Sequence, residues 1–478
     1  MIVLYIILGL LAACLAFILI RAAAFVPKDD PQQSAEAVEF DREAAEVALA
    51  ALVQCKTVSY TDHSLEDDGE FEKLIAQLPE LYPHVTETCP LEKLPDRGLL
   101  FHWKGRGEGE PAVLMAHYDV VPVEEENWQK PPFSATVEDG VMWGRGTLDT
   151  KVTFNGILSA AEALISQGFT PENDVYFAFS GVEEVNGNGA VNIVNWFSER
   201  GIVPAMVVDE GGAVVRDVFP GVKEPCALIG IAEKGMLNLE YRIASSGGHA
   251  SAPKPHTPVG RLALACTKVE ARPFKSHLTK PVLEMFDNLG RRSTFLYRVI
   301  FANLWCFRPV LDIICKKSGG EINALVRTTV AFTQMQGSKA HNVIPPSASM
   351  VSNIRLNPED SVAGAVEYIR RTIADPEIEL TVHDHMEPSP ISRTDCESWR
   401  RMVNAVSATW PGSVVSPYLM VQCSDSRHYR DLSDRVYRFS AMDMTNEERA
   451  TIHGNNERIR LEVIHRAVEF FIRLMRQC

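Results

Sequence analysis

Apolar runs that stop at an acidic residue or a histidine recur along this chain, and that alternation constrains its fold more than any other feature. Val113–Asp119, Val175–Ser180 and Ala205–Asp209 read as strands. Between and around them, Val152–Gln167, closed by Gly168, and Ala190–Arg200 carry apolar residues at helical spacing, and a further helix opens the folded region within Glu36–Val53. Strands alternating with helices imply packed layers, so the expected fold class is α/β. No internal repeat or low-complexity tract interrupts the pattern.

The strand ends carry the chemistry. In open α/β sheets, the loops at the carboxyl ends of strands converge on one crevice. Seven acidic or histidine side chains are candidates: His117, Asp119, Asp149, Glu183, Glu184 and Asp209 at or after such strands, and His453, a loop residue far downstream before a helix. Imidazole and carboxylates are the usual protein ligands of catalytic zinc, and two neighbouring metals need a carboxylate to bridge them. Strand alternation puts His117 and Asp119 on one face, where Asp119 can orient the imidazole. Asp149 follows Gly144-Arg145-Gly146, a segment free to turn sharply toward a helix start. Burying the neighbours Glu183 and Glu184 after an apolar strand is costly unless cations or a shared proton compensate. One of that pair can then bind metal while the other takes a proton from water. Each residue alone also fits a plainer reading: a same-face strand pair, an N-cap aspartate, a solvated Glu pair, a loop histidine.

Composition narrows the alternatives. With 478 residues the chain exceeds what a single core accommodates, so two domains are expected. A formal net charge of −15 argues against a nucleic-acid partner, since phosphate binding wants clustered Lys and Arg. Ten scattered cysteines without a Cys-x-x-Cys pair support neither a thiolate metal site nor a dense disulfide scaffold, and most read as buried fillers.

Residues 1–25 form a separate element. Ile2–Ile20 is apolar without a charge until Arg21, close to the length that crosses a bilayer. It reads as a transmembrane signal anchor, with a cleaved signal peptide as the alternative. Residues 26–35, polar and proline-bearing, read as a tether. A second apolar stretch, Thr294–Cys315, reads as a buried helix or dimer face, or else as an acyl-chain pocket or membrane-facing surface. Arg298 and Arg308 argue against a second membrane span there.

The motifs Met115-Ala116-His117-Tyr118-Asp119-Val120-Val121-Pro122-Val123, Trp143-Gly144-Arg145-Gly146-Thr147-Leu148-Asp149-Thr150-Lys151, Gly181-Val182-Glu183-Glu184, Val208-Asp209-Glu210-Gly211-Gly212, Gly248-His249-Ala250-Ser251, His341-Asn342-Val343-Ile344-Pro345 and Thr451-Ile452-His453-Gly454-Asn455-Asn456-Glu457 occur in this order. Through them the chain resembles the M20 family of dinuclear zinc peptidases and deacylases, most closely the branch of carboxypeptidase S, Gly-Xaa carboxypeptidase and secreted N-acyl-amino-acid hydrolases. The resemblance implies a zinc-peptidase-like catalytic domain, a mixed sheet flanked by helices over 36–234 and 388–478, interrupted by a smaller α+β lid or dimerisation domain over 235–387. It implies two Zn2+, with Co2+ or Mn2+ as substitutes, bridged by Asp149. His117 and Asp209 complete one site, Glu184 and His453 the other, Asp119 orients His117, and Glu183 is the base. His249 on the lid would steady the oxyanion, in several members from a partner subunit of a homodimer. Asn342, Arg355 and Arg427 would touch substrate, the arginines as grips for a carboxylate.

The activity so implied is hydrolysis of an amide bond in short peptides or N-acyl amino acids with a free carboxylate. A dipeptidase or aminopeptidase-like hydrolase is the alternative, and a catalytically dead binding homologue a third. The expected location is membrane-anchored with the catalytic domain extracytoplasmic, or secreted if the apolar segment is removed.

Overall fold

The structure, a computed structural model, describes residues 1–28 and 36–478. Of the expected tether over 26–35, residues 29–35 lie outside the described residues. The expected elements form with small shifts of boundary. The first helix of the folded region is Arg42–Val53, begun by Asp41, whose carboxylate accepts from Ala44 N at 3.0 Å. The strand expected over 113–119 is Ala112–His117 and stops before Asp119. The next helix is Lys151–Ser166, followed by Gly168 at a φ of +75°.

An eight-stranded mixed sheet organises the larger domain. Its order is Leu91–Leu94, Gly98–Trp103, Val175–Ser180, Ala112–His117, Met206–Val215, Val436–Met444, Cys226–Glu233 and Val414–Met420. The four strands from Val175–Ser180 to Val436–Met444 run parallel. Ala112–His117 and Val175–Ser180 are buried throughout, as strands covered on both faces must be. One covering face is the helix Lys151–Ser166 against Leu461–Met475, so close that a Cβ on Gly156 would meet Phe471 Cδ2 at 3.2 Å.

The strand expected to end at Asp209 continues to Val215. Its ladder with Val436–Met444 is irregular: Asp209 faces Arg438 and Gly212 faces Phe439, which leaves Glu210 and Gly211 as an inserted bulge. Gly212 is required there, because a Cβ would fall 1.9 Å from Leu228 O.

A second sheet, ordered Thr329–Gln336, Ser347–Leu356, Gly235–Ala244 and Glu379–Met386, is antiparallel. Along Ser347–Leu356, half-buried and buried side chains alternate strictly, since only one face is covered, here by helices Pro258–Ala271 and Val362–Ile373. This is the expected α+β lid, but the expected block 235–387 is not one packing unit. Four helices within it, Lys280–Arg292, Phe295–Phe301, Leu304–Ser318 and Gly320–Val326, send Val282, Met285, Phe286, Leu289, Phe301, Leu311 and Leu325 into the core of the larger domain. Their apolar faces, not their place in the sequence, decide which core they join.

The amino-terminal helix Ile2–Ala24 is long and apolar enough to span a membrane or serve as a signal sequence. It docks on the inserted helices. Arg21 Nη2 donates to Ala302 O at 2.9 Å, at the carboxyl end of Phe295–Phe301 where a cation is favoured. All ten cysteines are free, and Cys55, Cys89, Cys226, Cys315 and Cys478 are buried.

Candidate metal centre

Asp149 is the pivot of the site. His117 Nε2 lies 3.1 Å from its Oδ1 and His453 Nε2 lies 2.9 Å from its Oδ2, so each oxygen of one carboxylate faces a different imidazole. Around His117 stands Glu210, with Oε1 3.4 Å from Nε2; around His453 stands Glu184, with Oε2 at 3.2 Å. The donor atoms of His117, Asp149 and Glu184 lie within 4.8 Å of one another, as do those of His117, Glu183 and Glu210.

The local folding explains the convergence. His117 ends its strand, and its Nδ1 lies 3.0 Å from Asp119 O, so a proton on Nδ1 leaves Nε2 free to donate a lone pair. Asp119 is fully buried, with Oδ1 3.4 Å from His117 Nδ1. Its carboxylate accepts from Glu183 N at 3.2 Å and Glu184 N at 3.1 Å, which fixes the two glutamates against the His117 strand. His453 arrives from the far end of the chain at a φ of +57°, and Gly454 O behind it accepts from Arg145 Nη2 at 2.8 Å. Arg145 Nη1 also meets Glu457 Oε2 at 2.6 Å, while Glu457 Oε1 accepts from Leu148 N at 2.7 Å and Asp149 N at 3.2 Å. The Arg145–Glu457 pair therefore clamps the Asp149 loop to the His453 loop, a structural role that the motif reading had not assigned.

Removing one member of so buried a pair leaves the other charge uncompensated. Glu457→Ala is expected to cost ~3–5 kcal/mol, read as a lower urea midpoint. Replacing both partners by apolar residues should cost much less; an equal loss in the double variant would show that the charges themselves are not at issue.

Without cations the electrostatics are strained. Burial pushes the Glu183 carboxyl well above the ordinary carboxylate range, with His117 opposing and Asp425, Glu210 and Glu184 adding to the rise. Burial lifts Glu210 to about 8. Burial also pushes Asp149 up, but hydrogen bonds from His117 and His453 outweigh it and hold the carboxyl well below its usual range. Hydrogen bonds to Asp149 and Glu184 raise His453 to about 10. Acids packed this closely favour added positive charge, and mixed carboxylate and imidazole donors are what zinc accepts. The residues fit a pair of divalent metals.

The other expected residues fall as follows. Asp209 is not at the cluster as foreseen: its Oδ2 accepts from Ser426 N at 2.8 Å, and the bulge brings the neighbouring Glu210 to His117 instead. Arg427 is buried and held inward, with Nη1 donating to Ser424 O at 2.7 Å and Nη2 to Asn186 Oδ1 at 3.1 Å; it stands 3.9 Å from Glu183, behind the site. Arg355 reaches from the lid to Cys423 Sγ at 3.2 Å, and Cys423 lines the metal pocket. His249 and Asn342 are exposed on the lid, joined where Ala250 N donates to Asn342 O at 3.1 Å, and neither lines the pocket. That pocket, about 400 Å³, is lined by Asp149, Glu183, Glu184, Glu210 and His453 together with Leu228 and Met420.

A mixed sheet whose parallel strands bring His117, Glu183, Glu184 and Glu210 to a crevice that Asp149 and His453 enter from loops, with a separate antiparallel lid, defines an α/β metallohydrolase. The profile of the peptidase family M20/M25/M40 matches residues 113–477. Probable carboxypeptidase S-like 2 of Dictyostelium discoideum is 34% identical over 436 residues, covering 90% of this chain and 84% of that protein. The N-fatty-acyl-amino acid synthase/hydrolase PM20D1 of Xenopus tropicalis is 34% identical over 451 residues, covering 92% and 87%. The M20 family metallo-carboxypeptidase Sso-CP2 of Sulfolobus solfataricus superposes with a TM-score of 0.65 at 16% identity, covering 90% of this chain and 98% of that one. The chain belongs to the M20/M25/M40 peptidase family, and it is a metal-dependent hydrolase.

Proposed function

We propose that this enzyme hydrolyses the amide bond of N-acyl amino acids or short peptides carrying a free carboxylate, with two zinc ions in the crevice. The observation that carries the reading is Asp149, whose two oxygens each face a different imidazole, with Glu183 close by. His117 and Glu210 would hold one metal, His453 and Glu184 the other, and Asp149 both. When bound, such metals polarise a carbonyl and acidify water. Glu183 takes the proton from the attacking water and returns it to the departing amine, a task that suits a carboxyl held above its ordinary range. Asp119 keeps His117 and the Glu183–Glu184 backbone in register throughout.

From the lid, Arg355 is placed to grip the substrate carboxylate. His249 and Asn342 would meet the substrate on closure of the lid or from a second copy in a homodimer. The exposed edge strand Glu379–Met386 offers such a dimer a surface. The apolar amino-terminal helix would anchor the chain in a membrane with the catalytic domain outside the cytoplasm.

Chelation is expected to abolish hydrolysis of an acetylated amino acid, and zinc to restore it. An acyl amino acid whose carboxylate is amidated should be cleaved poorly. Cleavage of free dipeptides bearing an amino terminus, with no cleavage of acylated amino acids, would favour the dipeptidase alternative.

A further inference from the structure

Beside the metal pocket lies a second cavity of about 300 Å³. Leu228, Glu321, Tyr418 and Arg449 line both, so the two meet along one wall. Their linings differ sharply. Acids crowd the first, while the second is walled by Phe219, Met285, Leu289, Ile300, Leu311 and Leu325, five of them from the inserted helices. Phe301 stands 4.9 Å from Phe219 and 5.2 Å from Phe286 between ring centroids, which makes that wall stiff. At the junction Tyr418 donates to Glu321 Oε1 at 3.2 Å and Arg449 to Oε2 at 2.9 Å, and Asp217 and Asn446 are the further polar members of the cavity's lining. An apolar cavity holds water poorly and takes hydrocarbon readily.

The outer side of the same helices is apolar as well. Phe295, Leu296, Trp305 and Ile313 are exposed there, and the membrane-length helix packs alongside, with Phe17 and Trp305 6.4 Å apart and Asn303 Nδ2 donating to Ile18 O at 3.1 Å. Tyr297 and Ile314 line the cavity and are also exposed, so one layer of helix separates the cavity from that outer face.

We propose that this cavity holds the hydrocarbon tail of an N-acyl amino acid whose amide lies at the metal centre, and that Phe295–Phe301 and Leu304–Ser318 form its bilayer-side wall. The proposal rests on the amidohydrolase reading above and makes acyl-chain length the specificity determinant. The scissile amide stays among the metal ligands, and the tail passes Leu228 and the Tyr418–Glu321–Arg449 junction into the cavity. Each methylene withdrawn from water should raise kcat/KM about fourfold until the cavity is full.

The test uses the full chain in lipid nanodiscs, with one amino acid bearing an acetyl, octanoyl or dodecanoyl group. Wild type should show the rise with chain length. Ile300→Trp and Leu289→Trp, which fill the cavity from different helices, should lower kcat/KM for dodecanoyl substrate about 100-fold while acetyl substrate is cleaved as before. A flat chain-length profile in wild type that still cleaves the acetyl substrate would overturn the proposal and leave the amidohydrolase reading standing, as would an equal loss on both substrates in the two variants. A fatty acid with a terminal diazirine, applied to chelated protein, reads the cavity without turnover. Labelling within residues 282–325 that Ile300→Trp abolishes supports the proposal, and labelling confined to the amino-terminal helix refutes it.

Discussion

Glu183→Gln lowers kcat by a factor of about 10²–10⁴ while the metal content stays that of the wild type. The expectation follows from what surrounds the residue. Its backbone is fixed by Asp119 and its carboxyl is buried beside Glu184, and among the described residues it forms no ion pair with a histidine of the kind His453 forms with Glu184. Glutamine keeps the volume and removes the carboxylate that accepts and returns the proton, so binding survives and chemistry stops. Metal analysis by mass spectrometry alongside steady-state kinetics decides the matter. Because the donor atoms of Glu183 lie within reach of those of His117 and Glu210, a parallel loss of metal and activity would make Glu183 a ligand instead.

Glu210→Ala and Asp209→Asn should part company in the same way. The first is expected to lose about one metal equivalent and at least 100-fold in activity, roughly the scale set by disturbing a metal's immediate surroundings. The second should keep both metals, since Asp209 spends its carboxylate on Ser426 N, and should cost about 1–3 kcal/mol in stability. If Asp209→Asn loses metal while Glu210→Ala does not, the assignment of the two residues reverses.

That pair also marks where reading the chain from its letters succeeded and where it failed. The layered fold followed from alternating apolar runs; His117 and Glu184 stood out because motif and strand end coincide, while Asp149 and His453, both in loops, were assigned through the family resemblance. Strict alternation along Met206–Val215 puts Asp209 on the face of Val207, and nothing local contradicts that. The ladder slips at Glu210 and Gly211, however, and a bulge re-aims the side chain it carries. The signal was present in Gly211-Gly212, since glycines within a strand often mark such a slip. The inserted helices 280–326 were invisible as a separate unit for a different reason. Which of two cores an amphipathic helix joins depends on the faces available in three dimensions, and their sequence lies inside the lid's boundaries. Arg427 was read as a substrate grip because its loop resembles that of the branch; the structure shows it buried, with Nη1 and Nη2 donating to Ser424 and Asn186.

The clamp between Arg145 and Glu457 spans 312 positions of chain. During synthesis, then, the first imidazole and most of the acids are made long before the second imidazole and its fastening exist. A nascent polypeptide halted midway would carry a half-built crevice rich in negative charge and unable to lock its loops. The order of translation thus leaves the crevice unfastened until the distant segment folds back.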